Sequence, residues 1–199
     1  DVQKLARIKQ NGPTYHIYPG SVHTRLSHSM GVYHLGRQIL LSLSKKSEEL
    51  PFTEKGMMSF LVACLLHDIG HFPYAHSLKE LAIRDHEELA GEMILEREEL
   101  GKAVENTGAD REMTAAIIDK DLLTSDDETL FYRNVLSGTL DPDKLDYLSR
   151  DGFFAGVPYG KQDTDFIISS FAYRNSRLCI DKAAISSVEQ ILFSKYMMY

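Results

Sequence analysis

The chain has 199 residues, enough for one domain with a substantial core, and its 43% apolar and 26% charged residues are ordinary for a globular protein. Its net charge of −7 argues against a nucleic-acid duplex as the main partner, yet leaves room for a small polyphosphate, which needs only a local cluster of cations. No apolar run approaches the roughly 20 residues needed to span a bilayer, and the N-terminus lacks the basic-then-apolar pattern of a signal peptide. Cys64 and Cys179 each sit in apolar surroundings without a metal-binding or redox motif, so both are expected as free, packed thiols, and a cytoplasmic location is expected.

In chain order, the first 22 residues read as irregular, punctuated by Asn11-Gly12-Pro13 and Pro19-Gly20. From about Arg25 to Lys45, Met30, Val32, Leu35, Ile39, Leu40 and Leu43 recur at helical spacing. Thr53-Glu54 opens a second helix that runs to His67, with Gly70 and Pro73 as stop signals. A short helix is expected over 77–82 and another from Asp85 to about Glu98. Residues 99–111, charged and glycine-containing, read as an exposed connection. Further helices are expected over 113–119 and 128–136. Asp141-Pro142 then supplies an N-cap and a first-turn proline for a helix to about Asp151. Residues 152–160 read as a loop, 163–171 as a helix, 172–181 as a β-hairpin and 183–199 as the last helix. The expectation is a single all-α domain over residues 1–199 with one small hairpin. The chain starts without Met and ends inside an apolar stretch, so a fragment continuing past Tyr199 is expected.

The chemistry concentrates in three places. His67-Asp68 ends an apolar helix, and burying a carboxylate beside an imidazole is costly unless something positive compensates. A divalent cation would do so; a buried His–Asp hydrogen bond without metal is the alternative for the bare dipeptide. His71 and His76 follow within nine positions, adding imidazoles able to bind metal or move protons near neutral pH. Upstream, Arg25 and His28 lie one helical turn apart and share a face. Downstream, Asp143, Tyr147 and Asp151 are spaced i, i+4, i+8 and drift by only about 40° per step at 3.6 residues per turn. They line one helix face while Asp146 points away from its centre. Helix-face geometry therefore favours Asp143 over Asp146 as a further metal ligand, and Asp143 also lies in the first turn, where the helix dipole suits a carboxylate.

The order His28, His67-Asp68, Asp143 resembles the H…HD…D signature of the HD-domain metal-dependent phosphohydrolases. The longer strings Tyr18-Pro19-Gly20, His23-Thr24-Arg25, His28 to Val32, His67 to His76 and Asp141 to Asp151 resemble its branch containing the sterile-alpha-motif-and-HD-domain dNTP triphosphohydrolase and its bacterial relatives. The resemblance runs from about Lys4 to Asp151 and more loosely beyond. It implies one divalent ion (Fe, Mn, Zn, Ni or Mg) held by His28, His67, Asp68 and Asp143. It also implies attack at the α-phosphorus of a dNTP, with release of a deoxynucleoside and intact triphosphate. His76 would be the general acid for the leaving sugar oxygen, with His71 and His86 as further catalytic histidines that contact phosphate or tune the proton inventory. Arg25, Lys144 and Lys195 would grip the phosphates; Tyr147 would pack beneath the deoxyribose, and Asp151 and Gln10 would bind its 3′-hydroxyl. His34 reads as a surface histidine.

The sequence departs from the branch at Lys195, where the family has a phosphate-binding Arg and the fork is lost, at Asn11 and His16, near the base and sugar, and at Lys79, where relatives often carry an acidic residue that orients the catalytic histidine. The relatives' habit implies a homo-oligomer. The same ligand set would serve a 5′-nucleotidase or phosphodiesterase, and a nucleotide-binding regulatory module without turnover is the remaining alternative. Retention of all four ligands argues against the last, and the presence of both Arg25 and Lys144 favours a triphosphate over the nucleotidase.

Overall fold

The computed structural model describes residues 2–46, 50–73 and 84–198. The helix expected over 77–82, together with His76 and Lys79, lies outside them. The longest element is α1 (Arg25–Lys46). Its Val32, Leu35, Ile39, Leu40 and Leu43 are buried, each such side chain contributing about 1.5–3 kcal/mol when removed from water. α2 (Glu54–Leu66) packs along α1; Thr53 caps its N-terminus by accepting a hydrogen bond from Gly56 N at 2.8 Å. α2 brings Phe60, Ala63 and Cys64 into the core, where Phe60 stacks on the fully buried Tyr132.

The helix ends at Leu66, and His67 is its C-cap. Tight turns follow at once, Ile69 N donating to Leu66 O at 2.8 Å and His71 N to Asp68 O at 2.9 Å. His67 and Asp68 therefore project from a helix terminus rather than from its side. Gly70 lets the helix that starts at His86 close on this turn, because a Cβ there would collide with the backbone oxygen of His86. That helix, α3 (His86–Glu96), begins with Asp85 as its N-cap and carries His86 in its first turn.

The expected connection over 99–111 is instead occupied largely by α4 (Glu98–Glu105). Leu100 and Val104 are one turn apart and buried, and this short apolar stripe outweighs the surrounding charge. α5 (Arg111–Ile118) and α6 (Asp127–Leu136) complete the central layer, each capped by an Asp side chain. α7 (Pro142–Ala155) opens as expected on Asp141 and Pro142 but runs through Gly152, correcting the loop assigned to that residue and the three after it. Phe154 stacks on His23 at 4.6 Å between ring centroids, and this packing carries the helix beyond Asp151.

α8 (Thr164–Ser169) leads into the hairpin of β1 (Phe171–Arg174) and β2 (Arg177–Ile180), paired antiparallel with Phe171 opposite Ile180. Asn175 and Ser176 both have positive φ, 49° and 58°, the backbone a two-residue hairpin turn requires. A short 3₁₀ turn, Lys182–Ala184, precedes α9 (Ile185–Met198). The architecture is all-α with one small hairpin, as the sequence led one to expect.

The first 22 residues are more ordered than expected. Two 3₁₀ segments, Val2–Arg7 and Gly12–His16, flank a pairing of Lys9 with Thr24. Gln10 N donates to His23 O at 3.0 Å and Arg25 N to Ile8 O at 2.9 Å, which clasps this segment against the start of α1. Among the described residues, no helix is long and apolar enough to cross a membrane.

Candidate metal centre and the cavity above it

Three elements meet at one point: the first turns of α1 and α7 and the end of α2. α1 brings His28, the end of α2 brings His67 and Asp68, and α7 brings Asp143. Ligand atoms of His28, His67 and Asp68 lie within 4.8 Å of one another. Asp143 Oδ1 is 2.9 Å from His28 Nε2 and 3.7 Å from His67 Nε2. Residues more than 100 positions apart thus share one small volume.

The hydrogen bonds around the two imidazoles set which nitrogens face that volume. His67 Nδ1 donates to the Cys64 carbonyl at 2.9 Å, so Nδ1 carries a proton and Nε2 is the nitrogen turned toward the carboxylates. That buried Nε2 has no hydrogen-bond partner among the described residues. His28 Nδ1 bonds Asp146 Oδ2 at 2.8 Å, leaving Nε2 toward Asp143. An orphaned, buried imidazole nitrogen beside two carboxylates fits a divalent cation, and neutral imidazoles with carboxylates are a ligand set for such ions. His28, His67, Asp68 and Asp143 are the residues that would hold it.

In the metal-free protein a proton stands where a cation would bind, and a metal ion would displace it. Burial opposes charge on His28, but its bonds to Asp143 and Asp146 outweigh this and push its pKa up to about 10 in the metal-free protein. Burial also works against ionised Asp143 and Asp68, yet the imidazoles around Asp143, and His67 and Arg25 beside Asp68, hold both carboxyls below their usual range. Both acids therefore remain anionic and available to a cation. Arg25 Nη1 donates to Asp68 Oδ2 at 2.7 Å, and both side chains are buried.

A cavity of about 840 Å³ opens above this centre. Arg25, His71, His86, Lys144, Tyr147 and Asp151 line it, as does Gln10 from the clasped N-terminal segment. His71 Nε2 lies 3.3 Å from Asp68 Oδ1 and its ring stacks on His86 at 4.0 Å. Burial lowers the His86 pKa, against the pull of Asp68, Asp85 and Glu87, so its ring is neutral at neutral pH. Burial, together with Asp143, Asp141 and Asp151, raises the Tyr147 phenol, which stays a neutral hydrogen-bond donor. Gln10 Oε1 is buried without a hydrogen-bond partner among the described residues.

Two expected phosphate contacts sit differently from the sequence picture. Lys144 lines the cavity, but its ammonium is engaged by the Asp141 carboxylate and by Gly138 O at 2.9 Å. Lys195 is exposed and does not line the cavity; α9 turns Ile191 and Ser194 inward, leaving Lys195 outside, while Met197 and Met198 reach the cavity wall. His34 is exposed, as its position on α1 suggested.

Sequence reasoning missed the contacts of three residues. Asp146 does point away from the centre of the Asp143 face, but it reaches His28 from behind. His23 holds Asp151 through an Nε2–Oδ1 contact of 2.6 Å. Lys120, paired with Glu87 at 3.1 Å, adds a cation to the cavity wall near His86. The Asp146–Arg150 spacing of four was visible in the sequence as a helix-stabilising pair; nothing in it showed that an imidazole would stand alongside.

Comparisons with known proteins agree with this geometry. The HD domain model matches residues 25–149. The chain is 31% identical over its whole length to the uncharacterized protein YwfO of Bacillus subtilis, of which it covers 45%. It is 40% identical over 74 residues, 37% of this chain, to the deoxynucleoside triphosphate triphosphohydrolase SAMHD1 of Bos taurus, covering 13% of that protein. The crystal structure of a phosphohydrolase from Bacteroides thetaiotaomicron superposes with a TM-score of 0.83 at 32% identity, covering all of this chain and 47% of that one. The chain thus spans about half the length, or less, of the relatives it matches. With the family model spanning 125 positions and the ligand cluster in place, the chain belongs to the HD-domain phosphohydrolase superfamily.

Proposed function

We propose that this protein hydrolyses deoxynucleoside triphosphates to a deoxynucleoside and intact triphosphate. The observation that carries this reading is the union of a His/Asp cluster with a cavity lined by Arg25, Lys120 and Lys144 as well as by Gln10, Tyr147 and Asp151. The SAMHD1 similarity, confined to part of the chain, supports the same substrate class.

When bound, a divalent cation polarises a phosphoryl oxygen and makes water acidic enough to attack phosphorus near neutral pH. The chain's residues do the rest. Arg25 supplies a guanidinium that can grip phosphate oxygens while its Nη1 holds Asp68 in place. Lys144 adds charge once phosphate competes with Asp141 for its ammonium. His71 and the neutral ring of His86 donate to phosphate oxygens. Water adds to the α-phosphorus and releases a proton to solvent, the bond to the sugar oxygen breaks, and that oxygen takes a proton from His76, which solvent then re-protonates. Tyr147 packs under the deoxyribose and disfavours a 2′-hydroxyl. Asp151, fixed by His23, accepts the 3′-hydroxyl proton, and the Gln10 side-chain amide turns its N–H to the same hydroxyl oxygen.

The test is product analysis. The metal-loaded, full-length protein is incubated with each dNTP, an NTP and a nucleoside monophosphate. Inorganic triphosphate from dNTPs supports the proposal. Orthophosphate alone identifies a phosphatase or nucleotidase on the same site, and tight nucleotide binding without turnover identifies a regulatory module.

A further inference from the structure

Asp146 and Arg150 lie outside the cavity lining, yet they connect to the metal centre. His28 Nδ1 is 2.8 Å from Asp146 Oδ2, and Arg150 forks onto the same carboxylate, Nε to Oδ2 and Nη2 to Oδ1, both at 2.7 Å. Both carboxylate oxygens are therefore fixed before the imidazole uses one of them. The His28 side chain is 1% exposed and that of Asp146 8%, so water does not compete for this contact. On α1, Gly31 lies one turn after His28. A Cβ at Gly31 would overlap Asp146 Oδ1 and press on Arg150 Nη2. The α1 backbone has thus given up a side chain where the carboxylate enters.

An ordinary i, i+4 pair on a helix surface needs none of this: no buried acceptor, no imidazole, no missing Cβ on a neighbouring helix. We propose that Asp146, clamped by Arg150 and admitted by Gly31, is a positioning residue that fixes the tautomer and ring orientation of His28 and so sets the metal affinity of the centre. The inference rests on the reading of His28 as a ligand. A carboxylate behind a ligating imidazole keeps the proton on the far nitrogen and strengthens the near one as a donor. The far end, Arg150, lines a separate groove of about 450 Å³ with no lining residue in common with the main cavity. Its effect on the metal therefore needs no contact with substrate.

Co²⁺ alone is the probe, titrated against a competing chelator into the full-length protein and its Asp146→Asn, Arg150→Lys and Gly31→Ala variants, with visible absorption spectra recorded. Circular dichroism and melting of the metal-free proteins verify folding. Asp146→Asn is expected to weaken Co²⁺ binding by about 10–100-fold, the range for losing such a partner, and to shift the absorption bands. Arg150→Lys, which keeps the charge and loses the fork, should weaken it less and in the same direction. It also decides the matter if Gly31→Ala does not fold. Folded Asp146→Asn and Arg150→Lys proteins with parental affinity and spectrum overturn the proposal. A parent that binds Co²⁺ but turns over no nucleotide defeats the functional reading and leaves this one standing; a parent that binds no Co²⁺ removes the ligand assignment beneath both.

Discussion

The floor of the cavity and its rim are built differently. The floor is helical: His28, His67, Asp68 and Asp143 come from first turns or a helix end, and hydrogen bonds fix both imidazoles. The rest of the lining is less regular: Gln10, Asn11 and Tyr18 lie in turns, Pro13 in a short 3₁₀ segment, and Met197 and Met198 in the last turn of α9. A site held on rigid elements keeps its geometry when a rim residue changes, so the chemistry of this protein should be robust and its selectivity adjustable.

The largest effects should come from breaking the floor. His67→Ala is expected to abolish stoichiometric metal binding, measured by elemental analysis, and to reduce hydrolysis by about 10³-fold or more, as loss of charge stabilisation at phosphorus predicts. Full activity in that variant would sink the metal mechanism. Asp68→Ala should in addition leave Arg25 buried without its anion and cost about 3–5 kcal/mol in denaturant melts.

Between floor and rim stands Arg25→Lys, which keeps the charge but loses the planar fork. A drop in kcat/KM of about tenfold is expected from one charge-assisted bond, with metal content unchanged. At the rim, Gln10→Ala should raise KM by about tenfold, the worth of one hydrogen bond near 1.4 kcal/mol, with little change in kcat. A collapse of kcat instead would place Gln10 in the chemistry and blur the comparison.

The smallest effect sharpens the comparison through pH. The folded-state pKa of His28, about 10, lies above its ordinary value of 6.5. Its contribution to the stability of the metal-free protein is therefore complete below pH 6.5 and lost as pH rises through 10. The melting temperature of the metal-free protein should fall over that window, and the fall should be shallower with metal bound, because the Nε2 lone pair is then engaged. No difference between the two forms would mean that His28 is not a ligand.

How much of this could be read from the sequence follows from range. The α7 face carrying Asp143, Tyr147 and Asp151 was legible because helix periodicity is local. So was the hairpin, from its alternation and tight turn. α4 was not, because its buried stripe is only Leu100 and Val104 amid charge, and their burial depends on elements elsewhere. The approach of Asp146 to His28 spans 118 positions, and a helical wheel says which way a side chain points but not what meets it. Lys195 was misplaced for the same reason: its register on α9 depends on how Ile191 docks.

The two imidazoles of the candidate metal centre are secured by different kinds of atom. His67 is held by the carbonyl of Cys64, which every amino acid possesses, so no substitution at position 64 removes that acceptor. His28 is held by a side chain, which a single codon change can remove. Mutation can therefore edit the second support of this centre but not the first. A lineage drifting toward a different metal, or an engineer seeking one, would find position 146 the open dial and position 64 a sealed one.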